Sequence, residues 1–170
     1  MKNKSKYPPL DLAAPVIFAL VFIMTFTYSQ LEPNVQDVDS SYVKEHKDLK
    51  GYLLVDARED EVYNGKSPRR GIPGGHIPGA VNFSIYELQD KNLLAPAAAL
   101  AKSGITKDKI IIVYCNTGVL SGRFADQLVR RFNFSATKIK NYRGSITDWI
   151  NSGYKLVPED HETGYEYYRD

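Results

Sequence analysis

The chain has 170 residues, 43% hydrophobic and 25% charged, the balance of a globular protein with one domain of ordinary size and a short extension. Its formal charge of +2 comes from the first thirty residues, where Lys2, Lys4 and Lys6 face a single acid, Asp11. The remainder is formally neutral, which argues against nucleic acid as a partner. The lone cysteine, Cys115, excludes an intramolecular disulfide and any multi-cysteine zinc site, and His46, His76 and His161 lack metal-ligand spacing, so no metal or cofactor is expected.

The three lysines precede an apolar run from Leu12 to Tyr28. Seventeen residues reach roughly 25 Å as a helix, long for a signal-peptide core and slightly short for a comfortable span. Residues 1–29 therefore read as a membrane anchor or a signal peptide, with Thr27 and Ser29 small enough for cleavage after Ser29. Glu32, Asp37 and Asp39 follow the run, and the positive-inside bias puts the body outside the cytoplasmic membrane, in a periplasm or cell envelope, anchored or secreted.

Residues 30–35 read as a linker, with a short strand expected before residue 40. The domain proper is expected over residues 36–158. Strand-like runs at Tyr52–Val55, Ala80–Phe83, Ile110–Tyr114 and Ile139–Tyr142 alternate with helical patterns at Ser40–Lys47, Glu59–Tyr63, Ile85–Asp90, Pro96–Lys102, Ser121–Phe132 and Ser145–Ser152. This alternation predicts an α/β fold, with a central parallel sheet of about five strands and helices on both faces. In the fifth helix Phe124, Leu128 and Phe132 form an apolar stripe with Ala125 and Val129 beside it, leaving Arg123, Asp126, Arg130 and Arg131 for solvent. The last helix opens Ser145-Ile-Thr-Asp148, like a capping box, and Trp149 is expected to pack it on the sheet. Residues 159–170 form an acidic, tyrosine-rich tail, either disordered or docked on a partner.

In open parallel sheets ligands bind beyond the carboxyl ends of the strands. Asp56, Cys115 and Arg143-Gly144 all fall there, which argues for one site. Cys115 lies between a strand and a helix start, where converging N–H groups stabilise a thiolate. That is the position of a nucleophile.

Four segments together resemble the rhodanese (sulfurtransferase) family: Leu53-Leu-Val-Asp-Ala-Arg58, Gly75-His-Ile-Pro-Gly-Ala-Val-Asn-Phe83, Tyr114-Cys-Asn-Thr-Gly-Val-Leu-Ser121 and Tyr142-Arg-Gly-Ser-Ile-Thr-Asp-Trp149. The resemblance implies a rhodanese fold in which Cys115 takes a sulfane sulfur as a persulfide. The donor would be a small sulfur-containing anion such as thiosulfate, or a persulfide or polysulfide, and the acceptor a thiol, cyanide or a protein. Backbone from Asn116, Thr117, Gly118, Val119 and Leu120 to Ser121 would cradle the anion, with Gly118 allowing the tight turn. Asp56 and Arg58 are expected to hold the framework by an ion pair, and His76 to fix a turn.

Two departures from the family pattern matter. Leu120 stands where many single-domain members have arginine, and Asn116 where some have a basic residue. An insertion, residues 64–74, brings Lys66, Arg69 and Arg70 toward the expected site mouth, and Arg70 is a candidate anion contact. A phosphatase or arsenate reductase needs an arginine six residues after the cysteine to clamp an oxyanion, and Ser121 stands there. The rival that remains is a non-catalytic sulfur carrier or partner-binding module of the same fold, tethered at the membrane.

Overall fold

The computed structural model describes residues 17–22 and 35–157. The chain divides into two units, Met1–Glu32 and Pro33–Asp170. In the first, residues 17–22 are helical and exposed; the rest of the expected anchor or signal, most of the linker and the tail lie outside the described residues. Among the described residues no helix is long and apolar enough to cross a membrane.

The second unit alternates strand and helix. In chain order these are β1 (Gln36–Val38), α1 (Ser40–His46), β2 (Tyr52–Asp56), α2 (Asp60–Tyr63), β3 (Val81–Asn82), a 3-10 turn (Ile85–Gln89), α3 (Leu94–Lys102), β4 (Ile110–Tyr114), α4 (Val119–Arg130), a second 3-10 turn (Ala136–Lys138), β5 (Ile139–Tyr142) and α5 (Ser145–Asn151). The strands form one sheet in the order β1-β5-β4-β2-β3, every pair parallel. The α/β expectation is met: five parallel strands carry helices on both faces.

β4 is central, and its run of Ile and Val suits a strand buried on both sides. Successive side chains point to opposite faces. Ile111 and Val113 join Val55, Phe124, Leu128 and Leu100 in the core under α3 and α4. Ile112 and Tyr114 join Leu54, Val43, Ile146 and Trp149 in the core under α1 and α5. Trp149 packs as expected, 2% exposed, with its indole N–H donating to the Lys155 carbonyl at 2.9 Å.

Several boundaries differ from the sequence reading. The expected strand Ala80–Phe83 keeps only Val81 and Asn82, because Gly79 at φ +87° turns the chain before it and Ser84 caps the 3-10 turn after it. α3 starts two residues before Pro96, still within the first turn, where a missing N–H costs no helical bond. α4 begins at Val119 rather than Ser121, with Gly118 in the N-cap position, and ends at Arg130. Arg131, expected in solvent, donates to the carbonyls of Leu88 and Asp90 and ties α4 to the 3-10 turn.

The capping box expected at Ser145 is absent. Gly144 occupies the N-cap position, Ser145 lies at φ +55°, and the Asp148 carboxylate accepts the Tyr142 hydroxyl at 2.8 Å. A serine held in the left-handed region turns its hydroxyl into the site rather than along the helix.

Candidate active site

The register fixes what meets at the carboxyl end of the sheet. Asp56 pairs with Tyr114, so β2 and β4 end level, and Cys115 follows directly. Cys115 is 1% exposed. Its sulfur accepts the Gly118 N–H at 3.2 Å and lies 3.7 Å from Ser121 Oγ and 3.8 Å from Ser145 Oγ. Burial pushes the thiol up. The N–H and hydroxyl of Ser121, the Thr117 N–H and the Ser145 hydroxyl together outweigh it and hold the thiol below its ordinary range.

The cysteine loop is fastened to the chain that follows β5. Ser145 Oγ accepts the Cys115 N–H at 3.1 Å and donates to the Tyr142 carbonyl at 2.8 Å. The first N–H groups of α5 are satisfied by the loop: Ile146 donates to Cys115 O at 3.2 Å and Thr147 to Asn116 O at 3.3 Å. Thr147 Oγ1 adds a bond to Asn116 O at 3.0 Å. Gly118 sits at φ +85°, and a Cβ there would lie 2.2 Å from the Arg143 carbonyl oxygen. Both the dihedral and the close approach demand glycine.

Beneath the loop, Asp56 and Arg58 are 0% and 2% exposed and form a bidentate pair, with Arg58 Nη2 2.6 Å and Nε 2.9 Å from the carboxylate oxygens. Two further guanidinium hydrogens go to the Gly75 carbonyl and to Asn116 Oδ1 at 3.2 Å. Burial lowers the Arg58 pKa, and Asp56 more than restores it, so the group stays charged. The pair thus joins the ends of β2 and β4 to the loop before β3.

Among the other expected site residues, His76 Nδ1 lies 2.9 Å from the Tyr63 carbonyl, its ring stacks on Tyr63 at 3.7 Å, and its backbone pairs with Val157. Thr117 and Val119 are exposed at the rim. The Leu120 side chain packs against the core under α4. Arg70 is exposed on the insertion, which is pinched at its base where the Gly65 carbonyl lies so close that a Cβ on Gly74 would meet it at 2.0 Å.

Two groups at the site are not assigned to it by the sequence reading. Ser145 is quoted in the fourth motif but read there as a cap. Asn141, 7% exposed on β5, accepts the Ser121 hydroxyl at 2.8 Å and donates to Asp37 Oδ1 at 2.7 Å. Its signal in the sequence is an amide side chain between Lys140 and Tyr142 in a short strand. Among the described residues no group of three His, Cys, Asp or Glu side chains could hold a metal ion.

The rhodanese-like domain model matches residues 39–152. A mitochondrial thiosulfate/3-mercaptopyruvate sulfurtransferase of Arabidopsis thaliana is 35% identical over 145 residues, covering 80% of this chain and 34% of that protein. A sulfur carrier protein of Thermus thermophilus is 33% identical over 117 residues, covering 62% of this chain and 40% of that protein. A crystallised probable thiosulfate sulfurtransferase superimposes with a TM-score of 0.55 at 26% identity, covering 71% of this chain and 47% of that one. The chain therefore spans well under half the length of these relatives' chains or just under half of it. The fold, the four motifs and the family match agree: the chain belongs to the rhodanese-like domain family.

Proposed function

We propose that the domain is a sulfurtransferase that works through a persulfide on Cys115. The thiolate attacks the outer, sulfane sulfur of a donor such as thiosulfate. The new bond joins Cys115 Sγ to that sulfur, and sulfite leaves with the electron pair of the old sulfur–sulfur bond. An acceptor thiolate or cyanide then attacks the outer sulfur, and Cys115 departs as thiolate. No net oxidant or reductant is needed.

The observation that carries this reading is the sulfur of Cys115, set at the end of the central strand and facing the Gly118 N–H and two serine hydroxyls. The names of the relatives support the same class of reaction. Incubation of the protein with thiosulfate or polysulfide should add about 32 Da, one sulfur atom, lost in Cys115→Ser and discharged by cyanide or a thiol. A mass gain that no acceptor removes would favour a carrier. No mass gain with any donor would refute both.

For an anionic donor, the exposed Arg69 and Arg70 of the insertion are the basic groups proposed to raise its local concentration. Lys66 is paired with Glu61. Removing both arginine charges should raise the thiosulfate KM with little change in kcat. We also place the domain outside the cytoplasmic membrane, on the lysines that precede the Leu12–Tyr28 run. Protection of the domain from protease added to intact cells after the outer layer is opened would overturn that placement.

A further inference from the structure

Ser121 has one hydroxyl hydrogen and three acceptors around it: Asn141 Oδ1 at 2.8 Å, the Gly118 carbonyl at 3.2 Å and the Cys115 sulfur at 3.7 Å. Which acceptor receives it is decided one residue further out. The Asp37 carboxylate offers only lone pairs, so the amide that faces it at 2.7 Å must be the NH2 end of Asn141. The carbonyl end is thereby turned to Ser121. The other carboxylate oxygen of Asp37 is met by Arg143, whose Nη1 lies 3.2 Å from Oδ2.

The sheet explains why these groups meet. Asp37 and Asn141 are register partners across β1 and β5, and Asn141 is also the register partner of Val113 on β4. Val113 packs under α4, and Asn141 reaches Ser121 on that helix's first turn. The other hydroxyl near the sulfur, that of Ser145 at 3.8 Å, has a nearer acceptor of its own in the Tyr142 carbonyl at 2.8 Å.

The geometry points to Asn141, oriented by Asp37, as a positioning residue that competes with the Cys115 sulfur for the Ser121 hydroxyl hydrogen. While sulfur is a thiol, the hydrogen stays on Asn141 and Ser121 presents lone pairs to the S–H. When sulfur becomes a thiolate, the hydrogen must leave Asn141 before Ser121 can donate to it. The device withholds one donor from the thiolate and so keeps the sulfur more nucleophilic than a fully solvated cradle would. The charged group that interacts with this sulfur is Arg58, paired with Asp56, and the Asp37–Arg143 pair stands beyond Asn141; none of them is altered in Asn141→Leu.

The inference rests on Cys115 as the working nucleophile, but its test needs no sulfur donor, so it stands or falls separately from sulfur transfer. The Cys115 pKa is read from thiolate ultraviolet absorbance against Cys115→Ser and from the pH profile of iodoacetamide alkylation. Asn141→Leu should lower it by about one unit, the scale of one hydrogen bond to a charged group. The intrinsic rate of the thiolate should fall about threefold for that shift. Alkylation would then be faster than wild type at low pH and slower at high pH. In a Ser121→Ala background the same substitution should do nothing. Asp37→Asn, at a half-exposed edge position, provides the same comparison if Asn141→Leu does not fold. Part of its effect, from lost negative charge, would persist without Ser121, and the hydrogen-competition part would vanish. An equal shift with and without Ser121, or no shift in a folded variant, overturns the proposal.

Discussion

Gly118→Ala separates two costs that meet at one residue. Its φ of +85° lies in the left-handed region, where an alanine costs about 1–2 kcal/mol. Its Cβ would also lie 2.2 Å from the Arg143 carbonyl oxygen and 2.9 Å from the carbonyl carbon, both backbone atoms that cannot rotate aside. The loop must therefore move, and the Gly118 N–H that donates to the Cys115 sulfur at 3.2 Å moves with it. Gly153 is the control: its φ is +81°, but nothing lies within 4 Å of the added Cβ. At about 4 °C per kcal/mol for a domain of this size, Gly153→Ala should lower Tm by about 4–8 °C and leave the Cys115 pKa where it was. Gly118→Ala should lower Tm further and raise the Cys115 pKa by about one unit, as a donor to the thiolate is lost. Thermal melts and alkylation profiles of the two variants are the assay. Equal Tm losses with an unchanged thiol in both would refute the close-approach argument.

Ser145 combines strain with a buried bond. Ser145→Ala leaves the Cys115 N–H without its partner and should cost about 1–3 kcal/mol, whereas Ser145→Gly loses the same bond but relieves the φ of +55°, so it should be about 1 kcal/mol the milder by urea unfolding. Arg58→Leu strands a carboxylate that is 0% exposed and should cost about 3–5 kcal/mol; adding Asp56→Asn should recover part of the loss, and a double variant less stable than Arg58→Leu would contradict a charge-based cost. The folded Cys115 pKa lies below its unfolded value of about 8.5, so the thiolate adds stability that is complete above the unfolded pKa and lost as pH falls through the folded one. The urea midpoint of wild type relative to Cys115→Ser should therefore rise with pH across that interval; a flat difference would mean the cradle does not favour the anion.

Most of the fold was legible because its signals are local. The β4 strand Ile110–Tyr114 is a continuous apolar run, and the stripe of Phe124 and Leu128 repeats at helical spacing, so each element announces its own buried face. The errors fell where a local signal competes with a contact from elsewhere. Ser145-Ile-Thr-Asp148 has the spacing of a capping box, but the Ser145 hydroxyl is claimed by the Cys115 N–H and the Asp148 carboxylate by Tyr142. Arg131 looks like a solvent residue on its helix until the 3-10 turn brings two carbonyls to it.

The site divides in the same way. Sequence alone determined that a single cysteine stands after a buried strand, that a glycine three residues on turns the chain, and that four motifs share one family's order, because strand periodicity and turn chemistry are written in consecutive residues. Only the tertiary structure decided that Arg143 forbids a side chain on Gly118, that Arg58 also donates to Gly75 and Asn116, and that Asp37 reaches the sulfur through Asn141 and Ser121. Those contacts join residues that parallel pairing sets side by side after long crossovers. Hydrogen-bond direction passes along such a chain by geometry, and a sequence pattern carries no record of it.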